Sequence, residues 1–366
     1  MRLIGAIFGL GLILVILWDT FETIILPRRV TRRIKLTNLF YSSIWMPWSM
    51  FVRHISNGRR REKSLGLFGP LSLLILLGVW AFGLILGYAL LLWAANTKLS
   101  STAESITFST YLYLSGATFF TLGYGDVAPV DPLGRVLAVV ESGNGFGLFA
   151  IVISYLPILY QAFSRREASI SLLDARAGSP SSAVELLRRH RAEDSFDDLN
   201  RLLTEWERWS AELLESHLSY PVLCYFRSQH DNQSWLRALT TVLDTCALVM
   251  VGVDGAPVWQ ARMTFAMARH AVVDIAQVFK TAPSPPEACG GRLTSAELSR
   301  LREILAKNGI QLPAGEDTER RLYELRMMYE PYVFALAEWL MMPLPPWILP
   351  PDAIDNWKTS AWGRIQ

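Results

Sequence analysis

Residues 121–126 read TLGYGD, once in a chain of 366 residues. Two glycines flank a tyrosine and an acid follows, which points to chemistry carried by the backbone. A dehydrated cation crossing a membrane needs oxygen ligands in place of water, and backbone carbonyls can supply them. An ordinary strand turns successive carbonyls to opposite sides. Aiming them all at one axis requires alternate residues to take left-handed backbone angles, which glycine adopts without steric cost. Gly123 and Gly125 are placed for this, and Thr121 can add a hydroxyl ligand at the inner end. Leu122 and Tyr124 then point away from the axis, pack against surrounding helices and set the diameter of the ring.

Such a loop needs a membrane around it. Apolar residues make up 51% of the chain and the mean hydropathy is +0.25, high for a wholly soluble protein of two-domain length. Three stretches are long enough to cross a bilayer core: Leu3 to Leu26, interrupted late by Asp19 and Glu22; Leu65 to Ala94; and Leu133 to Ala162, which contains Glu141. The first follows Arg2 as a signal peptide would. The residues after it, DTFETIILPRR, offer no small-x-small cleavage site, so it reads as an uncleaved span.

Charge sets the orientation. Between the first two spans lie Arg28, Arg29, Arg32, Arg33, Lys35, Arg53, Arg59, Arg60, Arg61 and Lys63 against the single acid Glu62, whereas the loop after the second span holds only Lys98 as a cation. The excess of cations places residues 27–64 in the cytoplasm and the N-terminus outside. TLGYGD then lies on the outer side, and SRRE at 164–167 returns the chain to the cytoplasm. The formal net charge of only +2 gives no sign of general nucleic-acid binding. Cys224, Cys246 and Cys289 are widely spaced and read as reduced thiols. Five scattered histidines add no zinc signature, and no acyl-transfer constellation is present. The chain reads as no enzyme and as needing no cofactor.

Before the loop, SITFSTYLYLSGATFF (105–120) is too short to span and rich in aromatic residues. It reads as a re-entrant helix, tolerated at membrane depth only where protein or water surrounds it. The negative end of its dipole favours a cation below the loop. Taken together, TLGYGD, the helix order and VAPVDPLGR resemble the two-transmembrane pore module of potassium channels over residues 66–163. The resemblance implies that Thr121, Leu122, Gly123, Tyr124 and Gly125 form a K+ selectivity filter and that K+ is the permeant ion. Because one copy supplies one strand of ligands, it also implies a homotetramer of cyclic symmetry. Related uptake transporters carry four such repeats in one chain, and this chain has one.

Further positions follow from the same resemblance. Gly145 looks like the gating hinge of the inner helix, with Gly143 and Gly147 close by. Phe120 stands where the family often has Thr or Ser. Ala117 stands where some relatives carry a glutamate that pairs with the acid after the filter, here Asp126, the expected filter support. Glu141 is similar to an acid of some bacterial inward rectifiers. Two readings stand for it: cation attraction or filter support, and a hydrogen-bonded packing residue. Pro157 should kink or end the helix ladder. With Ile153 and Gln161 it lies where the family's inner helices converge, as inner-gate candidates or as lipid-facing packing.

Residues 31–54 mix cations with Trp45, Trp48, Phe40, Tyr41 and Phe51, the composition of an interfacial helix on anionic lipid. Asp19 and Glu22 share a helix face and are placed to pair with loop arginines. From Arg165 onward, apolar residues recur at helical spacing in 181–191, 196–217, 232–251, 257–279, 295–308 and 317–341. TSAE at 294–297 starts a helix, NG at 308–309 ends one, and 240–253 is core. His190, His217, His230 and His270 read as surface or core residues.

The expected fold is an all-α membrane protein: three transmembrane helices plus a re-entrant pore helix and filter loop, followed by a helical cytoplasmic domain. The expected domains are 1–26, a first span; 27–64, a basic cytoplasmic linker; 65–164, the pore; and 165–366, a regulatory or assembly domain whose ligand the sequence does not name. The expected location is the cell membrane. The competing functions are a weakly selective cation channel and a membrane-anchored sensor or scaffold with a vestigial pore.

Overall fold

The computed structural model describes residues 1–26, 36–101, 105–191, 196–230 and 232–350. Arg28, Arg29, Arg32, Arg33 and Lys35, and the first residues of the expected interfacial helix, lie outside them. Two compact units are present: Met1–Ile55 with Leu67–Gln161, and Ser56–Gly66 with the chain from Ala162 onward.

Unit 1 begins with α1 (Arg2–Thr20), which continues as a π-helical turn over Phe21–Ile25. α2 (Leu36–Arg53) follows, then α3 (Gly58–Ala94), a short β1 (Leu99–Ser101), α4 (Phe108–Phe119), β2 (Val127–Pro129) and α5 (Pro132–Ala177). Three helical stretches, Arg2–Ile25, α3 and α5, are long and apolar enough to cross a membrane, and the chain is a membrane protein. Both α3 and α5 outrun the apolar runs that announced them. Charged residues end a hydrophobic count without ending a helix. Asn57 accepts from Arg60 N (3.2 Å) at the start of α3, and Gly178, with φ +85°, follows the end of α5. α5 also passes through Pro157 without a break. One missing N–H among many does not end a helix of this length, contrary to one form of the expectation.

α1 lies antiparallel to α3 on a seat of small residues. A Cβ on Gly9 would come within 2.7 Å of the Gly87 carbonyl, one on Gly87 within 2.6 Å of Ile13, and one on Gly83 would overlap Ile16. Close backbone approach of this kind is how helices associate where lipid offers no hydrophobic drive. The core includes Ile13, Ile16, Leu76, Trp80, Leu84 and Phe119. Asp19, only 4% exposed, accepts hydrogen bonds from Trp80 Nε1 (2.9 Å), Thr37 Oγ1 (2.7 Å) and Thr37 N (3.2 Å). Glu22 accepts from Trp18 Nε1 (2.7 Å). Among the described residues these partners are indole, hydroxyl and amide groups; the loop arginines at 28–33, expected from sequence to pair with the two acids, lie outside the described residues. β1 and β2 form an antiparallel ribbon pairing Leu99 with Pro129 and Ser101 with Val127, a sheet that the sequence reading did not foresee.

Unit 2 continues with α6 (Ala183–His190), α7 (Asp197–Ser219), a 3-10 turn (Pro221–Tyr225), α8 (Trp235–Met250), α9 (Val258–Val278), α10 (Pro286–Gly290), α11 (Ser295–Lys307), α12 (Glu316–Met327) and α13 (Glu330–Leu340). The capping box at Thr294 and Glu297 and the left-handed Gly309 (φ +74°) stand where TSAE and NG put them. The expected helix over 317–341 is two helices. Pro331 can neither donate to the preceding turn nor let Glu330 continue it, so α13 starts afresh at that point. α8 is buried from Trp235 to Val249. It carries Asp244, which accepts from Tyr329 Oη (2.6 Å) and from Arg292. Arg292 also pairs with Glu330 (2.9 Å), as does Arg326 (3.0 Å), and both guanidiniums lie over the Trp347 ring. Burial disfavours the Arg292 cation, but the Asp244 carboxylate outweighs it and the guanidinium pKa is raised. The cysteines are free and buried.

His217 is buried beside Arg166 Nη1 (3.2 Å from its Nε2), and its Nδ1 lies 2.9 Å from Leu213 O. Arginine only donates, so Nε2 is the acceptor and Nδ1 carries the proton. Burial, then the adjacent Arg166 cation, holds the imidazole pKa well below its usual 6.5. Above 6.5 the folded and unfolded states are both neutral here. Below it only the unfolded state takes up the proton, so stability falls as pH drops. The thermal midpoint in detergent should therefore fall between about pH 7 and about pH 5. His217→Gln, whose amide oxygen also accepts from Arg166, should reduce that slope, and buried His190, also held below its usual range by burial, adds a slope of the same sign. A slope unchanged in His217→Gln would remove this assignment.

Candidate functional site

α4 starts where Thr107 N donates to Thr110 Oγ1 (3.2 Å) and ends with tightening bonds into the next loop. Phe120 N reaches Gly116 O (3.0 Å), Thr121 N reaches Thr118 O (3.0 Å) and Leu122 N reaches Ala117 O (2.8 Å). The backbone then alternates in hand. Thr121 (φ +54°), Gly123 (φ +64°) and Gly125 (φ +75°) are left-handed, and Leu122 and Tyr124 between them are not. Left-handed residues at every second position turn consecutive carbonyls toward one side instead of opposite sides. The two glycines behave as their spacing requires. The left-handed angle of Thr121, already named as a ligand, was not foreseen: a β-branched residue at positive φ is strained and persists only where its surroundings over-determine it. No signal in the sequence marks it, since nothing but glycine advertises such an angle.

Side chains brace this strand. Tyr113 Oη donates to Asp126 Oδ2 (2.9 Å), so the acid has a partner on α4 although Ala117 stands where a glutamate was a candidate. Glu141 on α5 is fully buried and hydrogen-bonded to Ser115 Oγ, which also lies 2.7 Å from the Ile85 carbonyl of α3. One serine thus joins α3, α4 and α5 behind the loop. Asn144 Nδ2 donates to Tyr88 Oη (2.5 Å), a second tie between α5 and α3. On the far side of the loop, Asp131 accepts from Lys98 N (2.9 Å) and Gly134 N (3.0 Å) and closes the β1–β2 ribbon. Those amides, Gly134 first, hold its carboxyl below the usual range.

Gly145 has a specific neighbour. A Cβ there would overlap the Phe119 carbonyl, the last turn of α4, whereas Cβ atoms at Gly143 and Gly147 would meet open space. The three glycines, alike in sequence, differ in that only Gly145 lets α5 touch the backbone that launches the loop. Leu122 and Tyr124 are 51% and 71% exposed among the described residues. Ile153, Pro157 and Gln161 are exposed on one face of α5, opposite buried Tyr155 and Leu159.

Inserting a methyl into a packed contact costs about 1–3 kcal/mol. Gly145→Ala should therefore destabilise the protein in detergent by about that amount relative to Gly143→Ala and Gly147→Ala. Equal melting of all three variants would contradict the close contact.

Comparison with known proteins bears on residues 73–162, which match the family model described as Ion channel. An uncharacterized membrane protein YdjJ of Bacillus subtilis is 23% identical over 193 residues, 52% of this chain and 56% of its own. A voltage-gated potassium channel of Aeropyrum pernix is 24% identical over 160 residues, 44% of this chain and 48% of its own. Protein LctB of Geobacillus stearothermophilus is 39% identical over 61 residues, 17% of this chain and 40% of its own. The chain spans about half the length of the relatives it matches. No solved structure matches it significantly.

Proposed function

We propose, from the premise that residues 73–162 are a segment of the ion-channel family, that the chain is a potassium-selective channel. Its pore would be closed by four copies around one axis. The observation that carries this is the left-handed, right-handed alternation over Thr121–Gly125. That alternation makes a column of carbonyls fit to replace the hydration shell of a K+ ion. Leu122 and Tyr124, uncovered in one chain, pack against neighbouring copies and fix the spacing of the ring. Thr121 supplies the innermost ligand, and the negative end of the α4 dipole holds a cation below it.

The remaining roles follow from this reading. Tyr113 and Asp126, with Ser115 and Glu141, hold the strand from behind. Gly145 is the seat of the pore helix and the bending point of α5, and Ile153, Pro157 and Gln161 face the axis at the inner mouth. The filter opens outward and unit 2 lies in the cytoplasm. The cations of residues 27–64 support that orientation, as does the antiparallel placing of α1, whose first turns lie beside the Trp93 end of α3. α2, with Leu39, Met46, Met50 and Phe51 exposed, lies in the inner leaflet interface. No span carries arginine at every third position, so the proposal takes potassium and not voltage sensing from the Aeropyrum relative.

Purified protein in liposomes should take up potassium or rubidium far faster than sodium, with Gly123→Asp abolishing uptake, and its mass in detergent should be that of four chains. Equal sodium uptake would leave a non-selective cation channel. Absence of flux under every condition would leave a membrane-anchored sensor or scaffold.

A further inference from the structure

We propose that residues 223–227, LCYFR, are the joint through which unit 2 positions the two helices flanking the filter segment. The residues concerned all lie within unit 2, into which both α3 and α5 extend. On α5, Arg166 is 4% exposed. Its Nη1 donates to Leu223 O (2.9 Å) and its Nη2 to Phe226 O (2.8 Å), with Glu167 as counter-ion (3.0 Å). The Phe163 and Phe226 rings lie 5.6 Å apart. On α3, Glu62 pairs with Arg227 (3.4 Å), whose side chain is only 6% exposed. Arg227 also donates to the carbonyls of Leu340 and Met341 at the end of α13. Trp235 Nε1, at the start of α8, donates to Cys224 O (3.2 Å).

One five-residue segment therefore holds the extension of α3 by a charge, the extension of α5 by two carbonyls, and the buried helices α8 and α13 by hydrogen bonds. A buried guanidinium keeps its free energy only while its partners stay in place. A shift of α8 or α13 is therefore passed to Glu62 and Arg166 together, and along two rigid helices toward the filter segment. Neither tie is visible in sequence, where Glu62 and Arg227 are far apart and Arg166 sits among other charges.

The inference rests on the channel reading, and its test separates the two. A Cβ at Gly66 would lie 3.9 Å from Arg227 Cβ, within disulfide range. In full-length protein carrying Gly66→Cys and Arg227→Cys, oxidation should form the link. Rubidium uptake should then change by about fivefold or more, the scale of an allosteric coupling. Reduction should reverse the change, and the rubidium-to-sodium ratio should stay constant. Each single variant should show no redox response. A complete link that leaves uptake unchanged on reduction would overturn the joint, and so would failure of the link to form in folded protein. Absence of uptake by the wild-type protein is a different result, and would remove the channel reading itself.

Discussion

A carbonyl oxygen within a membrane has no water to bond, so it must meet a donor or a cation. Under the proposed channel reading, residues 121–125 answer that constraint. Their alternating hand directs carbonyls to one side and keeps a threonine at an angle it would not choose. Strain of that kind survives only against rigid neighbours. The α4 turn with its final bonds, Tyr113 on Asp126, the Ser115 contacts and the Gly145 seat are those neighbours. The ribbon and Asp131 hold the strand after it leaves the loop.

Much of this architecture is local information and is legible as such. Apolar run lengths locate three spanning helices, glycine spacing locates the loop, and TSAE and NG locate both ends of α11. What escaped is pairwise. Periodicity says that α8 is buried, but not that its Asp244 will find Arg292, Tyr329 and, through Arg292, Glu330. Three similar glycines in α5 give no hint that one alone touches the Phe119 backbone, because that contact depends on where another helix ends. The β1–β2 ribbon escaped for the same reason: three-residue strands carry no period of their own, and only their ends being brought together makes them pair.

The two units divide the physics differently. Unit 1 associates through small residues and a few polar ties, as helices do without water to drive them together. Unit 2 buries charge in quantity, with two arginines, an aspartate and a glutamate around Trp347, and offsets the desolvation by mutual pairing. α3 and α5 belong to both, so each satisfies lipid-type packing over one stretch and ionic packing over another.

Asp19 also dictates an order of events during synthesis. α1 leaves the ribosome before Thr37 and well before Trp80, so its carboxylate first meets the bilayer without its hydrogen-bond partners. A carboxylate in a spanning helix costs up to about 2.5–3.5 kcal/mol of insertion free energy at the centre and less toward the end, where Asp19 stands. That cost is offset by hydrogen bonds from groups outside α1, the last of which, the Trp80 indole, is translated some sixty residues later. The polar ties of the first helix are thus completed only once α3 exists.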